Sequence, residues 1–115
     1  MKLRLLDELV MFHCPGCAED HAITVKDSDI PGPVWSFNDD AAKPSFQPSI
    51  LVTAPRWEPP VTAANWAEWR RAPWEQKQVD HICHSFVTDG RIQFLSDCTH
   101  ALAGQTVDLP EWEQP

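Results

Sequence analysis

Residues 79–98 read VDHICHSFVT, then DG, then RIQFLSDC, and the fold turns on this stretch. Two runs rich in β-branched and aromatic residues flank an Asp-Gly pair. That pair supplies the two positive-φ positions of a two-residue type I′ turn. With Asp89 and Gly90 as the loop, Thr88 faces Arg91 and Ser85 faces Phe94. The same count sets Cys83 opposite Ser96 and His81 opposite Cys98. Side chains alternate between the two faces of a strand. One face is therefore expected to hold Cys83, Ser85, Val87, Ile92, Phe94 and Cys98, and the other His84, Phe86 and Asp97.

Two chemistries follow from that alternation. Near the start, FHCPGC at residues 12–17 sits between the apolar run 9–12 and the strand-like run 21–25. A tight Pro15-Gly16 turn there points the thiolates of Cys14 and Cys17 at one ion, the pattern of a zinc-knuckle hairpin. Cys83 and Cys98 are diagonal neighbours on the first hairpin face. The four thiolates make a closed, structural zinc site. A bulge near Ser96 would break that pairing, and His21 or His100 would then compete for the fourth position. On the second face His84 has Asp97 diagonally beside it, and a carboxylate in that place fixes an imidazole's tautomer and raises its basicity. If Ser49 approaches from another strand, Ser49, His84 and Asp97 supply a nucleophile, a base and an orienting acid.

The rest of the chain fits short strands joined by turns. Residues 34–37 read as a strand. Pro48 cannot donate to a ladder, so Ser49 is expected to open the strand that follows. Residues 55–79 are rich in tryptophan and proline and read as an insertion. Within it Asn65 and Glu68 resemble a capping box, with a short helix reaching Ala72 before Pro73 stops it. Residues 105–109 form the last strand. The expected fold is mostly β, a small α+β zinc-binding domain over residues 1–115. It has a knuckle hairpin and a long C-terminal hairpin around one zinc site, with a short helical insertion.

Composition narrows the function. Nine basic against 17 acidic residues give a net charge of −8 in a chain of 115. So negative a surface disfavours nucleic acid and anionic membranes as partners. No uncharged apolar run approaches the roughly 18 residues of a membrane span. Asp7 and Glu8 interrupt the stretch an export signal would need. A soluble, cytoplasmic protein is expected. In that compartment four cysteines read as metal ligands rather than disulfides.

Together FHCPGC, WSFNDD, KPSFQPSILV, the block CHSFVTDGRIQFLSDCTHALAGQTVDLP and Trp112 resemble a family of small phage and prophage proteins. That family was long described as a domain of unknown function. Some members carry an ammonia monooxygenase label, which does not suit a chain without a membrane span. Relatives sit beside bacterial ubiquitin-like conjugation genes and are regarded as peptidases of the ubiquitin-like protein. The resemblance implies a zinc-stabilised, mostly β hydrolase with a serine nucleophile, Ser49 of QPSIL, and His84 of CHSFV as its histidine. It also implies a protein or peptide substrate, a ubiquitin-like protein among them. Here the chain departs from the conjugation-associated relatives, which have a CPCGC-like knuckle and a histidine directly before the aromatic. In this chain the knuckle is CPGC, and Ser85 separates His84 from Phe86. The alternative function is a non-catalytic zinc-binding interaction protein that meets a host or virion protein through its tryptophan-rich insertion.

Overall fold

A computed structural model describes residues 1–26 and 29–112. Strands β1 (Arg4–Leu5), β2 (Leu9–Cys14) and β3 (Glu19–Thr24) form one antiparallel sheet in chain order. A second sheet is a five-stranded antiparallel meander of β4 (Ser36–Phe37), β5 (Phe46–Glu58), β6 (Lys77–Thr88), β7 (Arg91–Phe94) and β8 (Thr106–Asp108). Helix α1 (Trp66–Arg71) lies between β5 and β6. The fold is mostly β with a short helical insertion, as the sequence indicates.

One core joins the sheets, and period-two burial builds it. Val10, Phe12 and Cys14 of β2 are buried on one face, and so are His21 and Ile23 of β3. They meet Phe46 and Ile50 of β5, Cys83, Ser85 and Val87 of β6, and Ile92 and Phe94 of β7. Phe12 is fully buried, its ring 6.3 Å from that of Phe46 and 5.5 Å from that of His21. Between β2 and β3 the knuckle turn closes with Ala18 N donating to Cys14 O at 2.9 Å. Gly16 is required in that turn: a Cβ there would lie 2.3 Å from the His100 ring.

The C-terminal hairpin follows the expected register as far as Ser85 opposite Phe94. Asp89 and Gly90 have φ of 50° and 78°, as a type I′ turn demands. Strand β7 then stops at Phe94. Leu95 N still donates to His84 O, but residues 95–98 close a turn through Cys98 N and Leu95 O. The next bond runs from Thr99 N to Ile82 O, so the chain has slipped by two residues. Pairing of Cys83 with Ser96 and of His81 with Cys98 is thereby replaced.

Three boundaries also differ from expectation. Strand β4 is only two residues long, because Trp35 N turns away to Thr24 O. Strand β5 runs through Pro48, although the ladder breaks there: Phe46 pairs with Val87 and Ile50 with Ser85. Four residues on β5 thus span two on β6, a bulge that absorbs a proline the ladder cannot use. Finally, residues 55–58 and 77–79, expected within the insertion, belong to the continued β5–β6 ladder, which ends at Glu58 opposite Lys77. They form an arm that carries α1, where Trp66 and Trp69 stack at 6.1 Å. Asn65 precedes α1 but makes no capping bond to it; its Oδ1 accepts from Thr62 N instead.

Phe12→Ala would open a cavity where the two sheets meet. We expect a loss of about 3–5 kcal/mol of stability, read from urea denaturation.

Candidate active site and metal cluster

Strand β6 feeds both clusters. Cys83 points into the core and is 1% exposed, while its neighbour His84 faces outward and is partly exposed. Leu51 of β5 pairs with His84, so the outward face of β5 includes Leu51 and, two residues back, Ser49. The bulge at residues 47–49 frees Ser49 from the ladder. His84 Nε2 lies 3.0 Å from Ser49 Oγ, and His84 Nδ1 lies 3.1 Å from Asp97 Oδ2. One imidazole is thus held between a hydroxyl and a carboxylate, each on its own ring nitrogen. Asp97 arrives by the turn after β7 rather than by the ladder, yet it reaches the ring that strand alternation assigned it. The Asp97 side chain is about half exposed and that of His84 about one quarter. Leu51 and Phe86 flank the histidine on the same face and are both exposed. Ser85, by contrast, is buried on the opposite face.

Geometry of this kind can transfer a proton from the hydroxyl to the imidazole while the carboxylate steadies the charged ring. Behind the Ser49 peptide, Trp35 Nε1 donates to Ser49 O at 3.2 Å and fixes the backbone.

On the buried side Cys14, Cys17, His21 and Cys83 each offer a ligand atom, and these atoms lie within 4.8 Å of one another. The Cys14 and Cys83 sulfurs are 3.8 Å apart. His21 Nε2 is buried without a hydrogen-bond partner, an expense explained if a cation is its partner. Three thiols and an imidazole in a closed, tetrahedral-sized cluster fit a divalent metal. The structure brings together Cys14, Cys17 and Cys83 as the sequence predicts, with His21 beside them. Cys98 stands apart from this group. Its sulfur groups with Cys83 and His100 and exchanges hydrogen bonds with the backbone of His84, 3.2 Å from both N and O. The two-residue slip after β7 is what carries it there. Burial of His21 was foreshadowed by its place two residues before Ile23, on the same face of β3. His81 sets Nε2 3.1 Å from Cys17 Sγ, beside the knuckle turn.

Among the described residues no helix is long and apolar enough to cross a membrane. The profile of a protein family, described as bacterial ubiquitination-like system serine protease (BubE), matches residues 3–95. The chain belongs to this family. The matched region of this BubE-family chain takes in Ser49, His84 and the first three cysteines, and it ends just before Asp97 and Cys98. No curated protein and no solved structure matches the chain.

The thiols of the BubE-family cluster cannot all ionise unaided. Cys14 is pulled down to about 3, chiefly by the hydrogen bond from the Cys83 thiol. That same bond pushes Cys83 far up, and burial pushes Cys17 up to about 12. Near neutral pH the hydrogen-bonded Cys14–Cys83 pair therefore carries one negative charge between its two sulfurs, and Cys17 is protonated. Coordination by all three sulfurs would expel about two protons per ion, so affinity should rise with pH. Calorimetry of Zn²⁺ binding in buffers of different ionisation enthalpy counts those protons. We expect His21→Ala to weaken binding at least tenfold and Cys98→Ser to weaken it less.

Proposed function

We propose that this BubE-family chain is a serine peptidase that cleaves a peptide or isopeptide bond at the tail of a ubiquitin-like protein. One observation carries the reading: the imidazole of His84 lies between Ser49 Oγ and Asp97 Oδ2, on the nitrogens that a base and its orienter require. The family's description supplies the substrate class, a protein of a bacterial ubiquitination-like system. The proposed place of action is the bacterial cytoplasm, with a phage or prophage among the sources of the gene.

In the proposed reaction Ser49 Oγ attacks the carbonyl carbon while its proton passes to His84 Nε2. Asp97 keeps the proton on Nδ1 and stabilises the imidazolium. The backbone amide of Ser49 itself, freed from the ladder by the bulge, serves the oxyanion. As the C–N bond breaks, His84 returns the proton to the leaving amine. Water, deprotonated by the same nitrogen, then releases the acyl group and restores the Ser49 hydroxyl. A site lying on an open sheet face suits a substrate that is itself a folded protein with an extended tail.

The proposed resident ion is zinc, held by Cys14, Cys17 and Cys83 with His21 as the fourth donor. The sulfur-rich donor set supports this choice. When bound it ties the knuckle turn to β6 and performs no chemistry on the substrate. The ligand atoms of these four residues lie within 4.8 Å of one another and Cys98 is not among them, which supports this set over the four-thiolate one.

A second reading rests on the arm. Trp57 and Trp66 are at least half exposed, a large apolar area for a surface. They favour a contact role in which residues 55–79 bind a host or virion protein without catalysis. Ser49→Ala separates the two readings. We expect it to lower turnover of a ubiquitin-like fusion about 10⁴-fold, and Asp97→Asn to lower it about 10²–10⁴-fold, with folding unchanged by circular dichroism. Unaltered cleavage by Ser49→Ala would remove the peptidase reading. If the wild type cleaves nothing, and Trp57→Ala with Trp66→Ala abolishes capture of a defined partner, the contact reading stands instead.

A further inference from the structure

The outer edge of β5 is almost unprotected. Strand β4 covers β5 only at Phe46 and Gln47, and Trp35 then caps Ser49 O. From there to Glu58 the strand is paired on one side alone. Which backbone groups face the open side can be worked out from β6. The carbonyls of Ile82 and His84 accept from Thr99 N and Leu95 N, so the even-numbered residues of β6 direct their backbone groups away from β5. Its odd-numbered residues direct theirs toward β5. Their partners there are Ile50, Val52 and Ala54. In an antiparallel ladder the intervening residues, Leu51 and Thr53, must aim their N–H and C=O at the open edge. Among the described residues no backbone partner from outside the sheet meets them. Pro55, next in that series, has no N–H, so the row of donors ends there.

Exposed strand edges of this kind are templates for another strand. This one begins at Ser49. Because it is continuous with the Ser49–His84–Asp97 cluster, its occupant is identified by position: the extended segment that brings the scissile bond to Ser49. We propose that the substrate tail adds to the five-stranded sheet as a sixth strand along β5, bonded to the backbone of Leu51 and Thr53. The exposed Leu51 side chain lies against it, and its free run ends at Pro55. This proposal rests on the peptidase reading and adds to it a docking rail. Two donor–acceptor residues spaced two apart engage about three to four substrate residues on one side of the cleaved bond.

The test uses a decapeptide with the C-terminal sequence of the ubiquitin-like protein of the same bacterial system, extended by a fluorogenic amide. Versions N-methylated at successive backbone positions accompany it, and p-nitrophenyl acetate is the small ester. We expect N-methylation at two positions, spaced two apart, to lower kcat/KM about tenfold each, while the intervening position is tolerated. Thr53→Pro removes one rail donor at a position whose neighbour in the series is already proline. It should lower the ratio of peptide to ester kcat/KM about tenfold. A wild-type ratio in Thr53→Pro, with N-methylation tolerated throughout, would overturn the rail and leave the peptidase reading standing. If the wild-type protein hydrolyses neither substrate, the peptidase reading falls, and hydrogen exchange of Ser49→Ala with the peptide decides the rail. Protection of the Leu51 and Thr53 amides would support it, and unchanged exchange at both would overturn it.

Discussion

Cys83 and His84 are consecutive residues of one central strand, and a strand must send consecutive side chains to opposite faces. Everything else in the molecule is arranged around that constraint. On the inner face Cys83 closes a sulfur cluster with the knuckle turn, and with it the contact between the two sheets. On the outer face His84 gathers Ser49 from β5 and Asp97 from the turn after β7. The two clusters therefore share one peptide plane. A small protein with a short core gains rigidity at the histidine from whatever holds the cysteines in place.

The supporting elements divide along the same plane. Buried Phe12, Phe46 and Phe94 belong to the inner side and supply the apolar area that fixes β6 against β2. The outer side is comparatively bare, with Leu51 and Phe86 exposed and the Asp97 carboxylate in contact with water. His84, Ser49 and Asp97 stand on an open sheet face.

How much of this could be read from the sequence depends on how local each signal is. The hairpin turn at Asp89-Gly90 and the knuckle turn were legible because their chemistry is contained within a few residues. The opposed faces of Cys83 and His84 followed from strand parity alone. The company of His84 and Asp97 was also legible, although the slip at residues 95–98 brings them together by a turn. That slip carries neither glycine nor proline to announce it, so the sequence offered a break near Ser96, with His21 or His100 in place of Cys98, only as an alternative. Ser49 lies 35 residues from His84, and only the cross-strand register brings the two within reach. The sequence could offer the pair as a condition but not as a contact. The insertion and its short helix were legible, but its two flanks were not, because the pairing that extends β5 and β6 through them is long-range.

The bulge at residues 47–49 inserts two residues against β6, and two is a whole repeat of the strand. Phe46 before it and Ile50 after it both remain inward, so the sheet's inside and outside are not exchanged across the break. An odd insertion would have turned Leu51 toward the core and Ile50 toward water, putting a frameshift into the pattern of burial. Changes in chain length at this point are thus quantised: even steps can move Ser49 along the sheet, whereas odd ones would turn the rest of β5 inside out.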